Sequence, residues 1–296
     1  MFSVIIPNFN REKAVIKAIN SVLDQTYQNF EIIVVDDCST DNSVQLITEI
    51  KDGRVKLLKL PQNSGAAAAR NFGIKQSKGK YISLLDSDDF YEKNFLEETF
   101  KVISNTIGAI GFSWTGLRYF ENGKTSEHIW RPERRESPYL TFLHSLHIGT
   151  NSGITFKREI FDKVGFFNED LPAAEDTDLF LRISQHFDYI VIPKVLINIE
   201  RDNADRLSKN FTKIARAYNI FFPQHFSAID HKEILKKRFY YKLMWLNYNL
   251  GDKITARNYY GKIPIEHRSK KIKGIKALYE ILPLKSASYF HQKISI

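Results

Sequence analysis

The chain has 296 residues, with 43 Lys+Arg against 34 Asp+Glu, for a formal charge of +9. Hydrophobic content of 43% beside 26% charged residues excludes a mainly disordered chain. A single cysteine, Cys38, excludes an internal disulfide framework and a Cys-rich zinc module, and suits a reducing compartment.

The first 115 residues alternate between short apolar runs and amphipathic stretches. Residues 2–6 read as a strand. Residues 12–23 follow as a helix, with Val15, Ala18, Ile19 and Val22 at helical spacing. Residues 30–35 are a second apolar run, and Ser39 or Thr40 can cap a helix carrying Val44, Leu46, Ile47 and Ile50. Residues 55–60, closed by Pro61, make a third strand; Gly65 opens a helix over 66–75, and residues 81–85 make a fourth strand. Continuous apolar strands, each followed by a helix, predict an α/β fold with an open, mainly parallel sheet covered on both faces. Its ligand site is then expected beyond the carboxyl ends of the strands.

After Ile107 the alternation loosens. Strands are expected over 108–114 and 153–156, helices over 139–147 and 175–187, and extended chain over 189–199. From Leu207 the pattern is helical, over about 207–221, 231–250, 252–262 and 270–281, with a helical hairpin at Gly251-Asp252. This divides the chain into 1–206, itself made of 1–115 and 116–206, and a helical C-terminal region, 207–296. The start lacks a basic n-region and reads as carrying no signal peptide. The longest run free of Asp, Glu, Lys and Arg, 137–156, is too polar to span a membrane.

Charge is unevenly placed. Residues 1–200 net −4, whereas 201–296 carry 20 Lys+Arg against 7 Asp+Glu, a net of +13. That asymmetry fits an acidic partner such as an anionic membrane or nucleic acid, and equally a solvated basic face.

Polar residues gather where the strands end: Pro7-Asn8-Phe9-Asn10, Asp36-Asp37-Cys38-Ser39, and Asp86-Ser87-Asp88-Asp89. Clustered carboxylates favour a hard divalent cation, which keeps positions for water or substrate phosphates. Asp36 and Asp37 could instead cap the next helix. The 86–97 stretch has acids at calcium-loop positions one, three and twelve, but Tyr91 stands where glycine is required. No G-x-G-x-x-G is present, which disfavours a dinucleotide enzyme.

Five segments in order carry a resemblance: Val4-Ile-Ile-Pro-Asn-Phe-Asn10, Val35-Asp-Asp-Cys-Ser-Thr-Asp41, Asn63-Ser-Gly-Ala-Ala-Ala-Ala-Arg-Asn-Phe-Gly73, Leu85-Asp-Ser-Asp-Asp89 and Ala174-Glu-Asp-Thr-Asp-Leu-Phe-Leu-Arg182. Together they resemble the family-2 glycosyltransferases of the GT-A fold, over about 1–206. The resemblance implies that Pro7 and Phe9 line a nucleobase pocket, that Asp37 bonds the base, and that Arg70 faces base or diphosphate. It further implies that Gly65 permits close backbone approach, that Asp86 meets the ribose, and that Asp88, with Asp89 as neighbour or alternative, holds Mn²⁺ or Mg²⁺. Asp176 would be the catalytic base, with Glu175, Arg201 and Arg206 as possible acceptor or diphosphate contacts. Arg182 also reads as an ion pair with Asp178 at i,i+4.

The family's processive Gln-x-x-Arg-Trp segment is absent, so addition of one sugar per encounter is expected. The implied activity is inverting, metal-dependent transfer from a nucleotide-diphosphate sugar, a UDP-sugar by preference. The implied acceptor is a lipid-linked saccharide in bacterial surface-polysaccharide assembly, at the cytoplasmic face of the membrane. The basic helices, notably 270–279, would then give peripheral contact with anionic lipid. The rival readings are a non-catalytic nucleotide- or nucleic-acid-binding protein using the basic third, and a sugar nucleotidyltransferase. No nucleic-acid motif and no Gly-rich phosphate loop support either, and no nucleic-acid partner is expected.

Overall fold

A computed structural model describes residues 1–106, 109–121, 123–145, 150–200, 210–284 and 286–288. The chain divides into two compact units, Met1–Glu169 with Asp176–Ala204, and Asp170–Glu175 with Asp205–Ile296.

The first unit opens with β1 (Phe2–Asn8), α1 (Glu12–Leu23), β2 (Phe30–Asp36), α2 (Ser43–Thr48), β3 (Val55–Lys59), α3 (Gly65–Gln76) and β4 (Tyr81–Leu84). Every residue of β1, β2 and β4 is buried, as a strand covered on both faces demands. By contrast β3 alternates half-buried Val55, Leu57 and Leu58 with exposed Lys56 and Lys59, the composition of a protected sheet edge. α1 turns Val15, Ala18, Ile19 and Val22 inward. α3 is rich in small residues because it lies close to the sheet: a Cβ on Gly73 would stand 2.7 Å from Ile5 Cγ2 and 3.0 Å from Val35 Cγ2.

The chain continues through β5 (Asp89–Tyr91), α4 (Phe95–Ile103), β6 (Ile110–Glu121), β7 (Lys124–His128), α5 (Pro138–Ser145), β8 (Ile154–Lys157), α6 (Glu159–Val164), α7 (Glu175–Ser184) and β9 (Asp188–Glu200). All nine strands form one sheet, in the order β3-β2-β1-β4-β8-β6-β9-β5 with β7 on β6. The β1–β4 half is parallel as expected, and β6 pairs parallel with β9. β8 runs antiparallel to β4 and β6, and β5 and β7 also pair antiparallel, so the whole sheet is mixed. In this unit four elements, β5, α4, β7 and α6, have no counterpart among the strands and helices expected from the sequence. Glu97, twelfth in the calcium-loop count, lies in the first turn of α4.

The amino ends of the strands are closed by a saturated polar knot. Ser3 Oγ donates to Glu31 (2.7 Å), Lys56 Nζ donates to Glu31 (2.7 Å), and the Lys78 and Gly79 N–H groups donate to Glu31 (2.6 Å) and Ser3 Oγ (2.8 Å). Burial pushes the Glu31 carboxyl up, but these donors outweigh it and hold it below the ordinary value.

The second unit holds α8 (Phe211–Phe221), a 3-10 turn over Phe222–His225, α9 (Phe226–Ile229), α10 (Glu233–Asn249), α11 (Lys253–Lys262), a second 3-10 turn over Ile265–His267, and α12 (Lys270–Ile281). Phe221, Phe222, Phe239, Leu243 and Met244 are fully buried and form its centre. Gly251 (φ 81°) and the Asp252 side chain, which accepts from the Thr255 N–H at 2.9 Å, make the α10–α11 hairpin. α12 buries Ile272, Ile275 and Tyr279, so the apolar half of its lysine-rich alternation is satisfied inside the unit. Among the described residues no helix is long and apolar enough to cross a membrane.

Candidate active site

Three loops at the carboxyl ends of β1, β2 and β4 are fixed by hydrogen bonds among their own polar side chains and backbone. Asn8 Nδ2 donates to Asp36 Oδ1 (3.0 Å) and Ser39 Oγ (3.2 Å), while the Ser39 N–H donates to Asp36 Oδ2 (2.9 Å). The Asn10 N–H donates to Ser39 Oγ (3.0 Å), and Asn10 Oδ1 accepts from the Thr40 N–H (2.8 Å). Asp36 is therefore the brace between the first two loops. Pro7 is buried within β1 opposite Val35, whereas Phe9, just past the strand, keeps 43% of its surface exposed.

Asp37 is 4% exposed and clamps the start of α3. Its two oxygens accept from the Ser64 N–H (2.7 Å) and the Gly65 N–H (2.8 Å), orphan donors that any helix start presents. Each oxygen keeps a further lone pair. Gly65 has φ 87°, and a Cβ there would meet nothing within 4 Å, so the space above the helix start is open. An open helix N-terminus with free backbone approach suits an anionic ligand.

One turn further along α3, Arg70 is buried and its Nη2 donates to Asp86 Oδ1 at 2.7 Å. Asp86 is thereby held at the end of β4. Its N–H donates to Ser152 Oγ (2.9 Å), and that hydroxyl donates to Asp89 Oδ2 (2.5 Å). Beneath them the buried Tyr91 hydroxyl donates to the Leu84 carbonyl (2.8 Å); burial first, then the charges of Asp86 and Asp89, raise its pKa well above the ordinary value, so it stays a neutral donor. Of Asp36, Asp37, Asp86, Asp88 and Asp89, Asp88 has the most exposed side chain, at 36%, and Arg11 Nε lies 3.8 Å from it.

Asp176 stands in the first turn of α7, half-buried, with its Oδ1 accepting from the Thr177 N–H (2.6 Å). Glu175 begins the same helix and is half-buried. Asn71, next to Arg70, donates to the Phe167 carbonyl (2.8 Å) and Glu169 Oε1 (2.7 Å) and accepts from the Phe167 N–H (2.9 Å). The expected Asp178–Arg182 pair forms at 2.8 Å, and Arg182 also donates to the Val164 and Phe166 carbonyls. Arg201 and Arg206 lie outside the described residues.

Three non-glycine residues have positive φ among the described residues: Asn10 (51°), Cys38 (65°) and Ala174 (57°). They sit after β1, after β2 and immediately before Glu175-Asp176. Strained backbone concentrates where function over-determines geometry. Ser152, Asn71 and the bracing role of Arg70 were not anticipated. The turn chemistry of Thr150-Asn-Ser-Gly153, with Gly153 at φ 84°, was the available signal for Ser152.

A divalent cation fits the strand-end cluster on the chemistry of its donors. Asp88 offers an accessible carboxylate, and such ions commonly take one or two protein carboxylates with the rest from phosphate and water. The converging acid/His triad found among the described residues, Glu233, Glu266 and His267, lies in the helical unit instead; both its glutamates are exposed, and Glu233 also pairs with Lys236 at 3.5 Å.

Comparison with known proteins accords with this arrangement. A putative teichuronic acid biosynthesis glycosyltransferase of Bacillus subtilis, TuaG, is 34% identical over 135 residues, 45% of this chain and 54% of that protein. An uncharacterized glycosyltransferase of Rickettsia typhi is 33% identical over 204 residues, 66% of this chain and 63% of its own length. Another from Rickettsia conorii is matched over 40% of its length, so the chain spans about two fifths to just under two thirds of these relatives. Among solved structures, S. aureus TarS 1–349 in complex with UDP-GlcNAc superposes with a TM-score of 0.73 at 18% identity, covering 99% of this chain and 91% of that one. The mannosyltransferase PcManGT of Pyrobaculum calidifontis, with GDP-Man and Mn²⁺, gives 0.59 at 16% identity, covering 98% and 86%. Both share the GT-A-like fold. Residues 3–165 match the family described as Glycosyl transferase family 2, more than half of the chain, and the protein belongs to that family.

Proposed function

We propose that the protein is an inverting glycosyltransferase that moves one sugar from a nucleotide-diphosphate sugar, a UDP-sugar by preference, to an acceptor hydroxyl. The observation that carries this reading is the strand-end assembly itself: an open helix start clamped by Asp37, an Asp86 held by Arg70, and beside them the more exposed Asp88. Phe9 offers an exposed ring for the nucleobase, with Pro7 behind it and a lone pair of Asp37 for an N–H of the base. Asp86 faces the ribose with its second oxygen while Arg70 holds the first, and Gly65 lets the backbone approach the donor.

Asp88 would hold a divalent cation, with Asp89 as the lesser candidate because its carboxylate is buried against Ser152. When bound, Mn²⁺ or Mg²⁺ supplies charge stabilisation for the departing diphosphate. The chain's own part is to orient the donor and to accept a proton. Asp176 takes the proton from the acceptor hydroxyl as that oxygen attacks the anomeric carbon and the carbon–diphosphate bond breaks. One displacement needs one base and no covalent intermediate, and it inverts the configuration. Glu175, Arg201 and Arg206 are the further candidates for acceptor or diphosphate contacts.

The acceptor we favour is a lipid-linked saccharide of bacterial surface-polysaccharide synthesis, used at the cytoplasmic face of the cell membrane. The name of TuaG and the basic residues 207–296 support that setting. With the apolar face of α12 turned inward, peripheral binding would rest on lysine charge and on exposed Ile254, Ile281 and Leu284.

The test is nucleotide release from a panel of nucleotide sugars, with Mn²⁺, with Mg²⁺ and with chelator, for the wild type and Asp88→Asn. Expected are release that needs the cation, and a loss of roughly 10²-fold or more in the variant. Full activity of the variant, or wild-type activity undiminished by chelator, removes the metal assignment; release from no nucleotide sugar removes the function.

A further inference from the structure

The turn after β1 carries a cation that the chemistry proposed above leaves without a task. Arg11 stands between the exposed ring of Phe9 and the start of α1, and its Nε lies 3.8 Å from Asp88 Oδ2. Both side chains keep 36% of their surface. Arg11 differs in this from Arg70, which is 4% exposed, bonded to Asp86 at 2.7 Å and committed to architecture. An ion pair as open and as long as Arg11–Asp88 holds little energy and exchanges readily for a better partner.

What is fixed is the backbone that bears it. The Asn10 N–H donates to Ser39 Oγ (3.0 Å), the Arg11 N–H to Ser43 Oγ (3.3 Å) and the Glu12 N–H to Asp41 Oδ2 (3.0 Å). The turn is thus pinned to the loop after β2 on both sides of Arg11. The guanidinium itself donates to the Asn10 carbonyl at 3.3 Å and keeps donors to spare among the described residues. It is a movable cation on a rigid mount. Charge supplies the rest. The diphosphate of a nucleotide sugar carries two negative charges and Asp88 a third. A divalent cation cancels two of them, and the one that remains lies beside Arg11. A cation at Asp88 also repels the guanidinium, whose planar fork matches phosphate oxygens.

We infer that Arg11 is a further donor-binding residue: its guanidinium leaves Asp88 when a divalent cation binds there, and takes a phosphate oxygen of the donor's diphosphate. This role rests on the nucleotide-sugar function proposed above, yet it can fail while that function stands.

Calorimetry on the full chain measures Mn²⁺ binding without nucleotide, then UDP and GDP binding at saturating Mn²⁺, for the wild type, Arg11→Ala and Arg11→Lys. Opposite signs are expected. Arg11→Ala should bind Mn²⁺ alone about two- to fivefold more tightly, because the ion no longer displaces an exposed cation. It should bind the nucleotide diphosphate about tenfold more weakly, the worth of one charge-assisted hydrogen bond. Arg11→Lys, which keeps the charge, should recover most of that affinity. The matching nucleoside, which has no phosphate, should bind all three proteins alike. A folded Arg11→Ala with wild-type affinity for the diphosphate overturns the proposal, as does an equal loss with the nucleoside, the mark of a disturbed turn beneath Phe9. Mn²⁺ affinity that does not rise in Arg11→Ala removes the exchange at Asp88. If the wild type binds neither UDP nor GDP, the nucleotide-sugar function falls together with this role; if it binds one of them and the variant matches it, this role alone falls.

Discussion

The two units treat buried charge in opposite ways. In the sheet unit Glu31, Asp36, Asp37 and Asp89 each accept from a near neighbour, and Arg70 is matched to Asp86. In the helical unit Lys242 is enclosed beside a phenol and a second cation. Paired charge serves architecture, whereas charge enclosed without a counter-charge lowers stability. The contrast sorts substitutions by what each should damage.

The largest effect is expected where a carboxylate is kept for chemistry. Asp176→Asn should slow transfer by about 10²–10⁴-fold, the usual worth of a general base, while calorimetric affinity for the nucleotide sugar stays near the wild type. A variant retaining more than about a tenth of the rate would move the base to Glu175 or Asp178.

Lys242→Met should go the other way on stability. Below about pH 8 the lysine is protonated in both folded and unfolded chains, so the folded state carries the whole cost of enclosing the charge. Between about pH 8 and 10.5 the unfolded chain holds more protons, and stability rises with pH across that window. The variant is therefore expected to be more stable by about 1–3 kcal/mol at pH 7, with the gain shrinking toward pH 10.5. Denaturant melts at three pH values read this directly; a destabilised variant with no pH trend would make Lys242 an ordinary packing residue.

Gly73→Ala probes close packing without any charge. Ile5 and Val35 are buried and branched at Cβ, so a methyl 2.7 Å from Ile5 has little room to be accommodated. A loss of about 1–3 kcal/mol in chemical denaturation is expected.

The smallest effect belongs to the closed amino end of the sheet. Glu31→Gln keeps an acceptor for Ser3 and Lys78 but loses the ionic bond with half-exposed Lys56, and should cost about 1 kcal/mol at pH 7. Because the folded-state pKa of Glu31 lies below its unfolded value of 4.5, its stabilising contribution is present above that value and fades as pH falls through the folded pKa. The difference between variant and wild type should accordingly narrow in acid, with no change in nucleotide-sugar binding.

The parallel half of the sheet was legible because each strand is a continuous apolar run and each helix keeps one inward stripe; α1 spans the twelve residues expected of it. β5 was not, since three residues, Asp89 to Tyr91, carry no period, and their pairing with Ile197 to Ile199 is set by a contact over a hundred residues away. β7 escaped because Lys124 to His128 is wholly exposed and held only by the hairpin with β6. The strand-end acids were visible as motifs, but the division of labour among them was not. Asp36 bracing Asn8, and Arg70 turned onto Asp86, depend on which side chains the folded loops bring within 3 Å.

The position of β8 has a consequence for building hybrids. It lies between β4, which carries the Asp86 loop, and β6, so the region after residue 115 is laced through the sheet instead of being appended to it. Asn71 adds a second tie, from α3 to the segment that leads toward α7. Any exchange between relatives that cuts near residue 115 must re-form two strand interfaces and a buried amide clasp with foreign partners. Among the described residues, exchanging the helical unit after residue 200 breaks no strand pairing. The C-terminal helices should thus be easier to exchange between relatives, and easier for evolution to shuffle, than the region after residue 115.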